Sequence, residues 1–351
     1  MRIVVVGATG NVGTSLLQRL VTDDEVTSVL GLARRRPRLE LPKVEWAEAD
    51  VTSSDLAAHF KRADAVVHLA WAIQPSRNLD LLWRINVEGS SRVFRAVAEA
   101  GVHSLVYASS VGAYSPGPKD RKVDESWPTD GVPTSFYSRH KAEVERRLDR
   151  FELECGAVRV VRLRPALIFK RESATEQRRL FAGPLFPGSL ARRGLIPIVP
   201  AIPGLRFQAV HSYDVGEAYR LAAKSDARGP FNIAAEPVLD PQELGRILRA
   251  RPVPLGRGVA RAAAGVAFRL RLQPSPSGWL DLALAVPLLD SARAERELGW
   301  RPERSAVEAI EDLLAGMREG AGLDTPPLSP RTSRPLRRRE LATRVGGEGG
   351  E

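Results

Sequence analysis

Short apolar runs alternate with longer amphipathic stretches through the first half of the chain. Residues 2–6 form an apolar run that suits a strand buried on both faces. Helical periodicity separates the later runs, for example over 85–100. Strands that alternate with helices in this way predict a Rossmann-type α/β fold with a doubly wound parallel sheet. The further strands are predicted over residues 26–33, 65–69, 104–108 and 158–163.

The pattern loosens beyond the last of these strands. Residues 170–206 are rich in proline, glycine and arginine, which is typical of loops and short elements. We therefore predict a Rossmann domain over 1–168 and a smaller, partly interleaved C-terminal substrate domain over 169–318. Within the second region, residues 207–224 are expected to return to the Rossmann domain.

The composition is that of an ordinary globular protein. The chain has 351 residues, 43% of them hydrophobic and 27% charged, so it can bury one large core or two smaller ones. No apolar run approaches the roughly 20 residues that span a bilayer, and the N-terminal run is too short for a secretory signal. A single cysteine, Cys155, excludes an internal disulfide and suits a reducing compartment. We expect a cytoplasmic protein with no membrane partner.

A net charge of +10 raises the question of nucleic-acid binding. Part of the excess lies in residues 331–351, where six arginines face three glutamates. Aromatic residues do not interleave with this cluster, as a stacking platform for bases would require. We therefore expect no nucleic-acid partner, and we predict that 319–351 is a disordered basic tail.

A glycine-rich turn, Gly-Ala-Thr-Gly-Asn-Val-Gly over residues 7–13, follows the first strand. Glycine permits the tight turn, close backbone approach to a pyrophosphate, and close packing of helix on strand. The helix that follows offers free N–H groups and the positive end of its dipole to phosphates. The spacing GxxGxxG is weak as a bare pattern, but its place after an N-terminal strand predicts a dinucleotide site.

Cofactor choice depends on the end of the second strand. An acidic residue about 20 positions beyond the turn would bind the adenosine ribose of NAD. Here Ala33 stands in that place, and Arg34 and Arg35 follow. Arginine forms bidentate, charge-assisted bonds with phosphate, so we favour NADP and leave NAD open. The alternative is that both arginines only decorate a surface loop.

The candidate chemistry lies in the segment from Tyr137 to Lys141. Residues four apart share a helical face, so these two side chains are predicted neighbours. A tyrosine with a pKa near 10 is a poor base at neutral pH, and a nearby lysine cation lowers that pKa. Ser109 and Ser110 end an earlier predicted strand, and a hydroxyl there could hold the substrate oxygen while Tyr137 moves its proton.

With these motifs in this order, the sequence resembles the extended short-chain dehydrogenase/reductases, in particular the NAD-dependent epimerase/dehydratase family. The resemblance runs over roughly residues 1–318. The matching segments are residues 7–13, 50–51, 68–70, 86–89, 109–114, 137–141, 164–165, 210–211, 214–215 and 290–302.

The resemblance implies roles for individual residues. Tyr137 is then the acid/base, Lys141 its activator and Ser110 the partner of the substrate oxygen, with Ser109 as a weaker candidate for that partner. Together with the two arginines considered above, the predicted cofactor-binding residues are Gly7, Thr9, Gly10, Asn11, Val12, Gly13, Arg34, Arg35, Asp50, Val51, Leu69, Ala70, Trp71, Asn86, Ser109, Tyr137, Lys141, Pro165 and Leu167.

The implied activity is that of an NAD(P)-dependent oxidoreductase, epimerase or dehydratase acting on a small molecule. Hydride would pass between the nicotinamide and a secondary alcohol or ketone carbon, with a sugar nucleotide as one substrate class. Two departures weaken the transfer of nucleotide-sugar specificity. Ser115 replaces a glycine common in the family, and Phe169-Lys170 replaces an aromatic-glycine pair. The alternative function is an NAD(P)-sensing regulatory protein without catalysis.

Other features favour plainer interpretations. The five histidines and one cysteine show no metal-ligand spacing, so no metal site is expected. His140 is predicted to be a surface residue. Residues 259–272 could touch a membrane surface, although a lid helix is simpler. A homodimer that packs through the helices starting near Asn86 and Tyr137 is one possible assembly.

Overall fold

The fold is given by a computed structural model that describes residues 1–74, 76–182 and 196–330. Its strands form one large sheet and three two-stranded ribbons. In chain order they are β1 (Arg2–Val6), β2 (Ser28–Ala33), β3 (Val44–Glu48), β4 (Ala65–His68), β5 (Ser104–Ala108), β6 (Lys122–Val123), β7 (Arg159–Pro165), β8 (Leu167–Phe169), β9 (Ile198–Ala201), β10 (Ala209–His211), β11 (Gly229–Ile233), β12 (Arg251–Pro254) and β13 (Leu288–Leu289).

The α-helices flank the large sheet or build the smaller C-terminal layer. A π-helical turn over Arg84–Glu88 joins the third helix to the fourth. In chain order they are α1 (Asn11–Val21), α2 (Leu56–Phe60), α3 (Leu79–Trp83), α4 (Gly89–Glu99), α5 (Phe136–Glu154), α6 (Ala174–Gln177), α7 (Ser212–Lys224), α8 (Pro241–Leu248), α9 (Arg257–Arg269), α10 (Gly278–Ala285), α11 (Ala292–Leu298) and α12 (Ala306–Glu319).

Seven parallel strands make the large sheet, in the order β11-β7-β5-β4-β1-β2-β3. The chain leaves β1 in one direction to build β2 and β3, and then crosses back to β4 on the other side. The topological switch point therefore lies between β1 and β4, and ligands of such sheets bind outside the carboxyl ends of the strands there. The predicted Rossmann-type fold is confirmed.

Apolar cores cover both faces of the sheet, which explains why β1 has no polar alternation. Ile3 and Val5 pack on one face with side chains of α1 and α7. Val4 and Val6 pack on the other face with side chains of α4 and α5. A strand buried on both faces is expected to be a continuous apolar run, as this one is.

Helix α7 packs directly on α1, the helix behind the glycine turn. An added Cβ at Gly216 would lie 2.8 Å from the Ser15 carbonyl carbon and 2.9 Å from the Leu16 amide nitrogen, so the two backbones are in contact. Beside this contact, the Ser15 and Ser212 hydroxyls form a hydrogen bond of 2.8 Å. The position of α1 therefore depends on a residue about two hundred positions away in the chain.

The buried Lys170 also holds α1. Its Nζ donates to Thr14 Oγ1 at 2.7 Å and to Ser15 Oγ at 2.9 Å. Burial lowers the pKa of this ammonium to about 8. The lysine that replaces the glycine common in the resembled family thus ties the end of β8 to the first turn of α1.

The two predicted regions are interleaved. Strand β11 forms the edge of the large sheet, and α7 and α11 pack against it or against α1. Within residues 207–224, which were predicted to return to the Rossmann domain, α7 packs on α1, whereas β10 pairs with β8 in a separate ribbon. The remaining ribbons join β9 to β12 and β6 to β13.

Residues 320–330, which follow α12, pack against earlier parts of the chain. The Thr325 hydroxyl donates to the Thr9 carbonyl oxygen at 2.9 Å, and the Leu328 side chain is fully buried. The Arg38 amide donates to the Asp324 carbonyl oxygen at 3.2 Å. The prediction of a disordered tail from residue 319 is therefore wrong for 319–330, and 331–351 lies outside the described residues.

Gly216→Ala is expected to lower the free energy of unfolding by about 2 kcal/mol, because its methyl group forces two helix backbones apart. Urea denaturation measures this change. Gly265→Ala is the control, since an added Cβ there meets nothing within 4 Å in the interior of α9. It should stabilise the protein by up to about 1 kcal/mol. Equal effects of the two variants would contradict this account of the contact.

Candidate active site

The turn after β1 is shaped by close backbone approach. Gly7 has a φ of +87°, and an added Cβ there would lie 2.6 Å from the Ala70 amide nitrogen. An added Cβ at Gly13 would lie 2.5 Å from the Gly7 carbonyl oxygen. At Gly10, by contrast, it would meet only that oxygen, at 3.7 Å. Gly7 and Gly13 are thus required by the backbone, whereas Gly10 keeps side-chain atoms out of the space before α1.

Helix α1 presents its N-terminus to this space. Gly10, the N-cap residue, has no side chain to accept hydrogen bonds from the first amides, which include those of Asn11 and Val12. Asn11 Nδ2 donates to the Ile168 carbonyl oxygen at 3.3 Å, and its buried Oδ1 has no partner among the described residues. Uncapped amides at the positive end of a helix dipole suit the pyrophosphate of a dinucleotide.

At the end of β2, Ala33 is buried and the next two residues, Arg34 and Arg35, are exposed. The Arg36 amide donates to Glu48 Oε1 at 3.1 Å, which holds the loop to the end of β3. The position expected to bear an acidic residue thus carries a methyl group followed by two guanidinium groups.

The loop after β3 contains the predicted adenine contacts. The Asp50 carboxylate accepts from the Thr52 amide at 2.7 Å and from its hydroxyl at 2.6 Å. Val51 is buried against Gly89, where an added Cβ would lie 2.7 Å from Val51 Cγ2. The Asp50 side chain therefore shapes its own turn, and Val51 connects the loop to the start of α4.

Asn86 holds the loop that follows β4. Its buried Oδ1 accepts from the Ala72 amide at 2.7 Å, and its Nδ2 donates to the Ala72 carbonyl oxygen at 2.8 Å. Leu69 and Ala70 lie against Gly7 in the same loop. Both ends of the Asn86 side-chain amide thus bind the backbone of Ala72. Asn86 therefore positions the predicted cofactor loop, and its amide is not left open to contact the cofactor directly.

The start of α5 brings Tyr137 next to Ser110. The Ser135 side chain caps the helix, and the Ser138 hydroxyl donates to the Gly112 carbonyl oxygen at 2.6 Å. An added Cβ at Gly112 would lie 2.7 Å from Tyr137 Cε1 and 3.4 Å from Ser110 Oγ. The absence of a side chain at Gly112 therefore allows the tyrosine ring and the serine hydroxyl to meet.

The environment of Tyr137 favours a protonated phenol. Burial raises its pKa to about 12, although a hydrogen bond with Ser110 acts in the opposite direction. A group in this state can donate a proton at neutral pH. Its use as a base requires positive charge or hydrogen bonds that lower the pKa again.

Lys141 lies one helical turn further along α5. Its Nζ donates to the Ala108 carbonyl oxygen at 2.6 Å and lies 3.5 Å from the centre of the Trp71 ring. The distance from Nζ to the centre of the Tyr137 ring is 5.9 Å. Burial lowers the pKa of Lys141 well below its usual value, while the charge of Glu145 raises it. The predicted neighbours thus share one face, and a carbonyl dipole and an indole π face contact the ammonium.

Glu145 lies one helical turn beyond Lys141 on α5. It was not among the residues predicted from the sequence. Its carboxylate accepts from Arg164 Nε at 2.9 Å, from Arg162 Nη1 at 2.9 Å and from the Ser109 hydroxyl. Burial would raise the pKa of Glu145, but the guanidinium groups, Arg164 foremost, and the hydroxyl lower it to about 2. Since this carboxylate engages Ser109, the strand-end hydroxyl beside Tyr137 belongs to Ser110, which also accepts from the Gly112 amide at 3.0 Å. The spacing of four residues between Lys141 and Glu145, which places both on one helical face, was the feature of the sequence that could have identified Glu145.

Aromatic side chains surround Tyr137. Its ring centre lies 4.9 Å from that of Trp279 and 5.9 Å from that of Trp71. Trp279 in turn contacts Phe181 at 4.9 Å and Phe136 at 6.1 Å between ring centres. Trp279 and Phe181 were missed because no local pattern links them to Tyr137.

Two further predicted residues lie past the end of β7. Pro165 is buried as its last residue, and Leu167 opens β8 with its side chain exposed. His140, predicted to be a surface residue, is instead buried and packs edge-on against Trp83 and Phe136. The helix turn that carries it faces the end of α3, which sequence periodicity alone did not indicate.

No group of three or more acidic, histidine or cysteine side chains able to hold a metal occurs in the described ranges. In the same part of the chain, no helix is both long enough and apolar enough to cross a bilayer.

Comparison with known proteins places this geometry in a family. The family model described as "NAD dependent epimerase/dehydratase family" matches residues 3–234. A UDP-glucose 4-epimerase from Thermus thermophilus, solved with NAD, is 21% identical with a TM-score of 0.66, covering 91% of this chain and 99% of that one. A dTDP-glucose 4,6-dehydratase from Streptomyces venezuelae, also solved with NAD, is 19% identical with a TM-score of 0.66, covering 91% and 97%.

Two curated relatives have higher sequence identity, but their alignments leave out a large part of one or both chains. An uncharacterised protein of Mycobacterium tuberculosis is 29% identical over 330 residues, which are 92% of this chain but 31% of that protein. The chain thus spans about a third of that relative's length. The decarboxylating sterol-4-alpha-carboxylate 3-dehydrogenase of Saccharomyces cerevisiae is 28% identical over 178 residues, covering 48% of this chain and 51% of that one.

The family match covers the glycine turn, the Tyr137–Lys141 helix and β11, and the sheet order agrees with it. The chain belongs to the NAD-dependent epimerase/dehydratase family.

Proposed function

We propose that the protein is an NAD(P)-dependent oxidoreductase, epimerase or dehydratase that acts at a secondary alcohol or ketone carbon. The observation that carries the proposal is the meeting of Tyr137, Ser110 and Lys141 at the carboxyl edge of the sheet. They lie past β5, two strands from the uncapped N-terminus of α1 behind β1. The nicotinamide ring of the bound cofactor supplies the carbon that gives or takes the hydride.

The side chains of this site handle the substrate oxygen. In reduction, the carbonyl carbon gains a hydride while its oxygen takes the phenolic proton of Tyr137. In oxidation, both transfers are reversed, and the carbinol proton returns to a phenolate. Ser110 holds the same oxygen by a hydrogen bond, and the Lys141 ammonium stabilises the phenolate.

We propose NADP as the preferred cofactor, with NAD as the alternative. The exposed Arg34 and Arg35 offer two charges where an acidic residue would bind the ribose of NAD. The solved structures named above contain NAD, and this supports the nicotinamide class and the NAD alternative. A cytoplasmic location and a homodimer stay predictions.

The names of relatives point to two substrate classes. The two solved enzymes are named for nucleotide sugars, and the yeast relative is named for a sterol carboxylate. Both classes present a secondary carbinol to such a site. The alternative function, an NAD(P) sensor, would bind the dinucleotide without using Tyr137.

Tyr137→Phe is expected to lower kcat by at least about a hundredfold, because it removes the proton donor and leaves the ring in place. The assay follows NADPH or NADH consumption with a panel of nucleotide sugars and ketones. Tyr213→Phe is the matched control in α7. Unchanged turnover in Tyr137→Phe would refute the acid/base role. If dinucleotide binds but the native protein turns over nothing in the panel, the sensor is favoured.

Lys141→Met and Ser110→Ala should each move the pH profile of alcohol oxidation toward higher pH. The Ser110 hydroxyl lowers the pKa of Tyr137, and a Lys141 ammonium would stabilise its phenolate, so the loss of either group is expected to raise that pKa. We expect the midpoint of the low-pH limb of kcat/KM, which reports the deprotonation of Tyr137, to move upward by about one pH unit or more. A limb that stays in place in both variants would show that Tyr137 is not the group being titrated.

Replacing Arg34 and Arg35 together by serine is expected to weaken NADPH binding by about tenfold or more, since two phosphate contacts are lost. NADH affinity should change little. Fluorescence titration of both cofactors measures the ratio, and Arg36→Ser, an exposed neighbour, is the control. Tighter binding of NADH than of NADPH by the native protein would reverse the cofactor assignment.

A further inference from the structure

One face of α9 is apolar although it faces solvent. Val259, Val266 and Leu270 are 63%, 51% and 64% exposed and, at spacings of seven and four, share a helical face. The small exposed side chains Ala262 and Ala263 complete this face. We call these five residues the α9 stripe. A surface helix normally buries its apolar face and exposes its polar one, and here that pattern is inverted.

The α9 stripe is part of a concentration of exposed apolar side chains. Leu272, just beyond the helix, is 46% exposed. Exposed Ile198 and Val253 lie on one face of the β9–β12 ribbon, whose second strand leads into α9. Six of the nine large exposed apolar side chains of the described residues thus fall between residues 198 and 272. Exposed apolar side chains concentrated in this way are typical of an interaction surface.

Positive charge borders the stripe. Arg269 and Arg271 flank Leu270, and both guanidinium groups are exposed. Arg261, by contrast, is paired with Asp281 at 3.0 Å on the side of α9 that packs toward α10. Apolar side chains interleaved with arginines suit a surface that is apolar inside and negatively charged outside, as an anionic lipid leaflet is.

Helix α9 contacts the loop that follows Trp71 of the candidate active site through a residue outside the stripe. The Arg77 side chain packs over the Phe268 ring and donates to the Phe268 carbonyl oxygen, which joins α9 to the loop after Trp71. In the same place, the Ser76 hydroxyl donates to the Pro274 carbonyl oxygen at 2.7 Å. Residues 273–279 then lead from α9 to Trp279, the ring stacked near Tyr137.

The site itself is lined for an apolar ligand with few oxygens. Aromatic rings contact Tyr137 on two sides, as described above. The indole N–H groups of Trp71 and Trp279 are buried, and neither has an acceptor among the described residues. A largely hydrocarbon ligand with one or two oxygen atoms matches such a lining, because apolar walls with a few polar groups determine orientation.

We propose that α9 docks on an anionic phospholipid surface and that the Tyr137 site takes its substrate, an apolar alcohol or ketone, from that lipid. The substrate class rests on the proposed function, whereas the docking does not. In this arrangement the stripe enters the headgroup region and the arginines bind lipid phosphates.

Co-sedimentation with vesicles tests the docking. The full chain is mixed with vesicles of equal parts phosphatidylglycerol and phosphatidylcholine, in about 0.15 M salt to weaken long-range attraction of a basic protein. Binding is expected, and Val266→Ser with Leu270→Ser should weaken it by about tenfold or more at unchanged charge. Leu153→Ser, at an 86% exposed leucine on α5, is the apolar control.

The charge contribution has its own pair of variants. Arg269→Gln with Arg271→Gln should weaken vesicle binding by about tenfold. Arg150→Gln with Arg301→Gln removes the same charge from exposed positions elsewhere and should have a much smaller effect. Equal losses in the two double variants would show general attraction of a basic protein to anionic lipid and would overturn the docking.

Other occupants of the stripe give different results. If light scattering shows that Val266→Ser with Leu270→Ser converts a dimer into a monomer, a second copy covers the stripe and the proposal fails. A cysteine placed by Val266→Cys in a Cys155→Ser background should react with a maleimide until vesicles are added. Protection without vesicles would mean that another part of the chain covers the stripe, which also overturns the proposal.

Two measurements separate this inference from the proposed function. Tyr137→Phe should leave vesicle binding unchanged, so docking and chemistry fail independently. For the substrate class, native protein with NADPH or NADH should reduce decalone, a fused-ring ketone. Turnover of UDP-glucose without turnover of decalone would overturn the apolar class and leave the hydride chemistry standing.

Discussion

The buried ion pairs of Glu145 join α5 to the sheet, and the candidate active site depends on them. Arg162 and Arg164 on β7 and Ser109 past β5 all bind this one carboxylate of α5. Removing one partner of such a buried pair typically costs about 3–5 kcal/mol, because the other charge is left without compensation. Since the folded-state pKa of Glu145 is depressed to about 2, its stabilisation is present above about pH 4.5 and is lost as pH falls toward 2.

The same ion pairs determine which of the two strand-end serines lies beside Tyr137. Glu145 engages Ser109, so the adjacent Ser110 is the hydroxyl beside Tyr137. Lys141, one turn before Glu145, is placed between the strand end and Trp71. The fixed geometry of two guanidinium groups on the sheet and one carboxylate on α5 therefore also determines where Tyr137 and Lys141 lie.

Local patterns predicted the parts of the fold whose cause is local. The strands over 2–6 and 104–108 are confirmed to the residue, because a parallel strand buried on both faces needs an apolar run. Strand β3 was missed, since it is a half-exposed edge of alternating character. The Tyr137–Lys141 neighbours followed from helical spacing. Trp279 could not be predicted, because only tertiary packing brings α10 to α5. Composition suggested disorder after residue 319, but Thr325 and Leu328 find buried partners there.

The contact between Thr325 and Thr9 has a consequence for how the protein is made. The glycine turn is synthesised well before the segment that completes it, since one of its carbonyl groups receives its hydrogen bond from a residue 316 positions later. Until that segment emerges, the Thr9 carbonyl must bind water, and the turn is open on that side. The nascent chain therefore carries an incomplete glycine turn until those 316 further residues have been added.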